Sequence, residues 1–138
     1  MELLVALDDS EPGWNALEYV LENHPDAAVT VVHVIDLSQS EYGEVAHLGT
    51  ETMRERRRER ADELFELARK RAAERDCELE TERLIGQPAA SIVDYATDSA
   101  VDRIVVGSHG RDGISRVLLG SVAERIARRA PTPVTIVR

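Results

Sequence analysis

Residues 104–121 read Ile-Val-Val-Gly-Ser-His-Gly-Arg-Asp-Gly-Ile-Ser-Arg-Val-Leu-Leu-Gly-Ser. The stretch opens on three β-branched residues, and an unbroken apolar run of this kind predicts a strand buried on both faces of a parallel sheet. Gly107 ends the run, Gly110 follows three residues later, and Gly120 with Ser121 begins a helical pattern. The stretch therefore predicts a strand, a glycine-rich loop and the start of a helix, which together form one unit of an α/β fold.

Further strands are predicted on both sides of this unit. Three more segments are largely apolar and more continuous than alternating, as Ile104–Val106 is: Leu3–Leu7, Val29–Ile35 and Val134–Val137. The segment Glu78–Ile85 alternates in polarity instead, which indicates a half-exposed strand at the edge of the sheet. The sequence thus predicts five strands.

Helical patterns fill the gaps between these strands. Ser10 is a good N-cap, with Pro12 in the first turn, and Asp36–Thr50 is predicted to be a lid or a flexible loop. Regular alternation of strand and helix predicts a doubly wound parallel sheet in a single domain over residues 1–138. The four helices are predicted to follow Ser10, to span Glu51–Glu74, to begin at Pro88, and to run from a Ser121 cap to Pro131.

The composition is that of an ordinary globular protein and excludes several classes. Of 138 residues, 43% are hydrophobic and 31% are charged, and no apolar run reaches the roughly 18 residues of a membrane span. Acidic residues follow the first strand at once and no basic region precedes it, so a signal peptide is not predicted and the expected compartment is the cytoplasm. A net charge of −9 repels phosphate backbones, so nucleic-acid binding is not expected.

The basic residues are almost all arginine, since Lys70 is the only lysine among 17 basic residues. An acid excess with so little lysine is consistent with adaptation to high salt, and equally with a moderately acidic protein of no special habitat.

The residues after each strand are the candidates for ligand binding, because ligands bind beyond the carboxyl ends of the strands in such sheets. Glycines at Gly107 and Gly110 would allow close approach, and the amides that open the helix at Ser121 would attract an anion. The same glycines could also be simple turn formers. There is no Walker A lysine and no glycine run after the first strand, and a receiver-domain phosphoacceptor is missing from the turn at Gly86.

Some charged residues near these turns have structural interpretations. Asp9 is interpreted as a turn residue, and His33 as a core histidine with a satisfied ring. The alternating charges of Arg54–Arg60 are interpreted as a solvated helix face.

The spacing Gly107-x2-Gly110-x9-Gly120-Ser121 resembles the G-x2-G-x9-G-(S/T) signature of the ATP-binding universal stress protein family. The stretch Val5–Ser10 is similar to the opening strand of that family and its acidic residue. His33–Ile35 is similar to the family's second strand, and Gly86–Pro88 to its Gly-x-Pro turn.

The resemblance implies a three-layer fold whose five-stranded parallel sheet has the order 3-2-1-4-5, with ATP bound and Mg or Mn carried on its phosphates. It also implies a homodimer paired through Val134–Val137, whose edge position independently invites pairing. Residues expected near the base and ribose are Ala6, Leu7, Asp8, Val34, Gly86 and Pro88, and those expected near the ribose and phosphates are Gly107, His109, Gly110, Arg111, Gly120, Ser121 and Val122.

Three functions stay open at this point. The first is an ATP-binding regulator or protective protein of a stress response. The second is a slow ATPase or phosphotransferase, for which the sequence offers no clear catalytic base. The third is a dimeric adaptor that binds no nucleotide, against which the intact glycine motif argues.

Overall fold

The computed structural model describes residues 1–36, 42–109 and 118–138, with residues 42–50 described by their backbone alone. Strand and helix alternate along the chain. The strands are β1 (Glu2–Ala6), β2 (Ala28–Ile35), β3 (Leu79–Ile85), β4 (Arg103–Gly107) and β5 (Val134–Val137). The helices are α1 (Glu11–Asn23), α2 (Tyr42–Ala73), α3 (Pro88–Ser99) and α4 (Ser121–Arg129).

All strand pairs in the sheet are parallel, and the strand order is β3-β2-β1-β4-β5. Strand β1 lies at the centre, where Leu4 is opposite Thr30 of β2 on one side and Ile104 of β4 on the other. The chain builds outward from β1 to β3, crosses the sheet, and builds outward again through β4 to β5. The predicted sheet and its order are confirmed, and the order reverses between β1 and β4, where such folds bind ligands.

Helices cover both faces of the sheet and form two separate cores. Helices α1 and α2 pack on one face, where Leu17 and Phe65 meet Val5 and Val31. Helices α3 and α4 pack on the other face, where residues such as Ile92 and Ile126 meet the opposite side chains of the same strands. Successive side chains of a strand point to opposite faces. A strand that is apolar at both odd and even positions therefore contributes side chains to both cores.

Helix α1 begins as its sequence predicts. Ser10 is the N-cap, and its hydroxyl oxygen accepts a hydrogen bond from the backbone N–H of Gly13 at 3.1 Å. Pro12 lies in the first turn, where its missing N–H costs nothing.

Two predicted boundaries are wrong. Helix α2 begins at Tyr42, so residues 42–50 of the predicted Asp36–Thr50 loop are helix, while Asp36 directly follows β2 and residues 37–41 lie outside the described residues. Adding turns to a helix that has already formed is easier than nucleating a new one. The first turns of α2 can therefore form without a strong start signal in the sequence. Ser121 is the first residue of α4, and Gly120 is its N-cap. Among the described residues, this cap has no side-chain hydrogen bond to the first turn of α4.

None of the described helices is both long and apolar enough to cross a membrane.

Candidate functional site

A cavity of about 480 Å³ lies at the carboxyl ends of the strands. Its walls come from the ends of β1, β2 and β4 and from helices α2, α3 and α4. It therefore spans the point where the strand order reverses. The residues predicted from sequence that line it are Ala6, Leu7, Asp8, Val34, Pro88, Gly107, His109 and Val122.

The remaining predicted residues lie beside the cavity or outside the described residues. Gly86 follows β3, has a positive φ of 146°, and donates its N–H to the carbonyl of Ile35 at 3.0 Å. Gly120 and Ser121 begin helix α4, next to cavity residue Val122. Gly110 and Arg111 lie outside the described residues.

The turn between β1 and α1 holds its acidic side chain in a defined position. One carboxylate oxygen of Asp8 accepts hydrogen bonds from the backbone N–H of Ser10, at 3.1 Å, and from the Ser10 hydroxyl. The Ser10 oxygen in turn accepts from Gly13, so cap, turn and carboxylate form one connected network. Asp8 is thus presented to the cavity in a fixed orientation.

Asp9 also lines the cavity, which its interpretation as a turn residue did not anticipate. Its backbone has a φ of 65°, in the left-handed region that Asp tolerates better than most residues. The indole N–H of Trp14 donates to its carboxylate at 3.0 Å, and the Arg71 guanidinium lies 4.4 Å from the centre of the Trp14 ring. Trp14 therefore connects helix α2 to the rim of the cavity.

The end of β4 approaches helix α1 so closely that only glycine fits. A Cβ atom on Gly107 would lie 2.7 Å from the carbonyl carbon of Pro12 and 2.8 Å from the nitrogen of Gly13. Both are backbone atoms that cannot move without shifting the helix. The glycine is therefore required by packing next to the cavity.

Gly120 lies against the residues that follow β4. Its N–H donates to the carbonyl of Ser108 at 2.7 Å, and a Cβ atom there would lie 3.0 Å from that oxygen and from the Cα of His109. Ser108 also donates its own N–H to Val137 at 2.7 Å. Ser108, which directly follows Gly107, is therefore hydrogen-bonded both to Gly120 and to the end of strand β5.

The start of α4 has the properties of an anion site. In the part of the chain that the structure describes, the Gly120 cap makes no side-chain hydrogen bond to the first turn. The amide N–H groups of that turn lack intrahelical acceptors, and the helix dipole adds partial positive charge. Ser121 and Val122 are exposed there, so a ligand in the cavity could reach these amides.

His33 is both satisfied and part of the cavity wall. Its Nδ1 lies 2.7 Å from the carbonyl oxygen of Leu7. Because a carbonyl oxygen only accepts, Nδ1 must carry the proton of this bond. The predicted core role is incomplete, since the half-buried ring also faces the site.

The interpretation of Arg54–Arg60 as a solvated face is incomplete, because Arg57 is half-buried, whereas Arg60 is exposed as predicted. Arg57 and Arg60 line the cavity, and Arg57 donates from Nη1 to the carbonyl of Asp36. Alternating charges along a helix do not show which of them faces a strand end. Only the packing of α2 over β2 distinguishes these two from their neighbours.

No group of three or more His, Cys, Asp or Glu side chains in the described ranges is arranged to hold a metal ion.

A sequence profile described as the Universal stress protein family matches residues 1–138. The chain belongs to the universal stress protein family. Universal stress protein MJ0531 of Methanocaldococcus jannaschii is 33% identical over 99% of this chain and 81% of its own length.

Solved structures of the same fold agree with this assignment. The structure of protein MJ0577, from the same archaeon, superposes with a TM-score of 0.84 at 28% identity over 99% of this chain and 94% of its own. A universal stress protein from Archaeoglobus fulgidus, solved in complex with dAMP, has a TM-score of 0.69 at 23% identity, covering 100% of this chain and 98% of its own. At that identity the likeness concerns the fold.

Proposed function

We propose that this universal stress protein binds ATP in the cavity at the strand ends and acts as a dimeric regulator or protective protein of a stress response in the cytoplasm. The observation that carries the proposal is the cavity itself. Eight residues expected at a nucleotide site from the sequence line one space at the reversal of strand order.

The proposed position of the nucleotide is the one that the resemblance to the universal stress protein family implies for these residues. The base contacts the end of β2 at Val34, with Pro88 closing that side and the Asp8 carboxylate within reach of the ribose or base. The phosphates extend toward His109 and the first turn of α4. Uncapped amides at a helix start are a common phosphate site, and Mg or Mn is carried mainly on the phosphates.

Binding without rapid turnover is the activity that these residues favour. Phosphoryl transfer needs a residue that orients the attacking nucleophile and a group that stabilises charge on the transferred phosphoryl. The Asp8 oxygen that points into the turn already accepts two hydrogen bonds from Ser10, which makes Asp8 a positioned acceptor more than a free base. The protein would therefore act through bound nucleotide, which changes a surface of the protein without being hydrolysed rapidly.

Dimerisation through β5 is part of the same proposal. The strand pairs with β4 along one side only in the described sheet, and all four of its residues are partly exposed. An edge of apolar, β-branched residues favours pairing with a second copy of the chain. Ser108 is hydrogen-bonded both to Val137 of β5 and to Gly120, so it links this edge to the start of α4, where the phosphates are proposed to bind.

The single tryptophan provides a direct test of binding. Trp14 donates to Asp9 on the cavity rim, so a ligand that contacts Asp8 or Asp9 should alter the environment of the indole. Titration with Mg-ATP is expected to change the Trp14 emission to a saturating value. The Trp14→Phe variant should lose the emission signal, while calorimetry still detects saturable ATP binding. The absence of both an emission change and a binding heat in the wild-type protein would contradict the proposal.

A further inference from the structure

The cavity has two sides, one on each face of the sheet. Val34 points toward the α3 and α4 face, where it packs with that core. His33, its neighbour on β2, must point to the opposite face, because successive strand side chains alternate. That face also carries Val31 and Ile35 with the buried side of α2. Of the nucleotide residues predicted from sequence that line the cavity, Leu7 packs in the core on this second side, and none of them comes from α2.

Helix α2 supplies the polar part of this second side. Arg57, Arg60 and Leu64 lie three and four residues apart, so they share one face of the helix, and all three line the cavity. Leu64 is buried in the α1 and α2 core, Arg57 is half-buried, and Arg60 is exposed. The face therefore changes from apolar in the core to cationic at the mouth of the cavity.

Arg57 has a defined position on this face. Its Nη1 donates to the backbone carbonyl of Asp36, the residue directly after β2. This bond holds the guanidinium beside the strand end that also carries Val34. A planar group restrained in this way loses less conformational freedom on contacting a ligand.

The strand order places Arg57 near the nucleobase of the proposed ATP and away from the phosphates. Strand β2 is two positions from β4 in the sheet, a separation on the order of 10 Å at ordinary strand spacing. The phosphate site proposed above is at the end of β4 and the start of α4. The part of an ATP molecule that reaches β2 is the base.

We propose that Arg57 forms the part of the cavity wall that contacts the nucleobase, and that it selects purine over pyrimidine nucleotides. This inference rests on the proposed nucleotide binding. Guanidinium planes stack on nucleobases, and a two-ring purine offers a larger face than a one-ring pyrimidine. The guanidinium held by Asp36 would lie against the base beyond the end of β2, on the α2 side of the cavity.

The test compares Arg57→Met with Arg58→Met. Arg58 lies on the same helix, is exposed, does not line the cavity, and loses the same charge on substitution. Dissociation constants for Mg-ATP and Mg-CTP are measured by calorimetry for the wild type and both variants, with far-UV circular dichroism to check the fold. Arg57→Met should weaken ATP binding about tenfold and CTP binding less, so that the preference for ATP narrows. Arg58→Met should leave both affinities within about twofold of the wild type, as expected for a solvated charge.

A purely structural tie between α2 and β2 would give a different result. If Arg57 only holds α2 against β2, its loss would weaken ATP and CTP binding by the same factor. An Arg57→Met variant with the wild-type preference for ATP over CTP would therefore overturn the inference. Arg57→Lys is a second check, because it retains the charge without the plane and should behave like the methionine variant. If the wild type binds neither nucleotide, the proposed function fails and this inference fails with it; if it binds ATP with no preference over CTP, only the inference fails.

Discussion

Replacing Gly120 with valine is expected to weaken ATP binding by at least about 100-fold, which corresponds to roughly 2.7 kcal/mol of binding free energy. A Cβ atom at this position would lie 3.0 Å from the Cα of His109 and from the carbonyl oxygen of Ser108. The two branches of valine would add further atoms to this contact. Relieving the contact would separate α4 from the end of β4, which are the two elements proposed to hold the phosphates.

The chain should stay folded in Gly120→Val. Inserting atoms into a packed site costs about 1–3 kcal/mol, which is less than the stability of a typical domain. Calorimetric titration with Mg-ATP measures the binding, and a thermal melt monitored by circular dichroism measures the fold. Gly120→Ala should give an intermediate affinity. A folded Gly120→Val protein with the wild-type dissociation constant would show that the phosphates bind elsewhere.

Replacing Gly107 with alanine is expected to lower the free energy of unfolding by about 2–3 kcal/mol. The added methyl group would meet the backbone of Pro12 and Gly13 at 2.7 and 2.8 Å. Unlike the tip of a flexible side chain, these atoms move only if helix α1 shifts away from β4. Because the Ser10 cap and the Asp8 carboxylate belong to the same turn, the shift should weaken ATP binding as well.

Urea denaturation is the measurement for Gly107→Ala. The midpoint should fall while the slope of the transition stays unchanged, since the surface exposed on unfolding is the same. A midpoint equal to that of the wild type would mean that α1 and β4 have more room than these contacts allow.

The strands could be predicted from the sequence because their signal is local. Runs such as Leu3–Val5 and Ile104–Val106 are apolar at every position, and only a sheet covered on both faces buries them completely. The weaker strand β3 was also correctly predicted as an edge strand, since its alternating side chains match a position with a partner on one side. These inferences needed no knowledge of distant contacts.

The errors come from features that local pattern does not determine. Helix α2 starts at Tyr42 with no strong start signal, so its first turns were expected to be loop. The Gly120 cap has no side chain that could signal it, whereas serine is a common cap residue, so the sequence predicts the cap one residue too late, at Ser121.

The candidate site was predictable where it depends on strand ends and only partly where it depends on helix packing. Asp8 and Gly107 follow strands, and parallel strands bring their carboxyl ends to one edge. Arg57 and Arg60 lie in a charged run whose spacing is identical to that of a solvated helix. Their place in the cavity depends on how α2 crosses β2, and nothing within a few residues of them encodes that crossing.

Whether the cavity at the strand ends binds ATP is decided by the nucleotide content of the purified protein, followed by calorimetric titration of the nucleotide-free protein with Mg-ATP. Denaturing the protein and chromatographing the supernatant identifies any nucleotide that it carried. We expect an adenine nucleotide in the supernatant, or saturable binding of one ATP per chain in the titration, with negligible hydrolysis. A supernatant with no nucleotide, together with a titration that gives no binding heat, would contradict the proposed function.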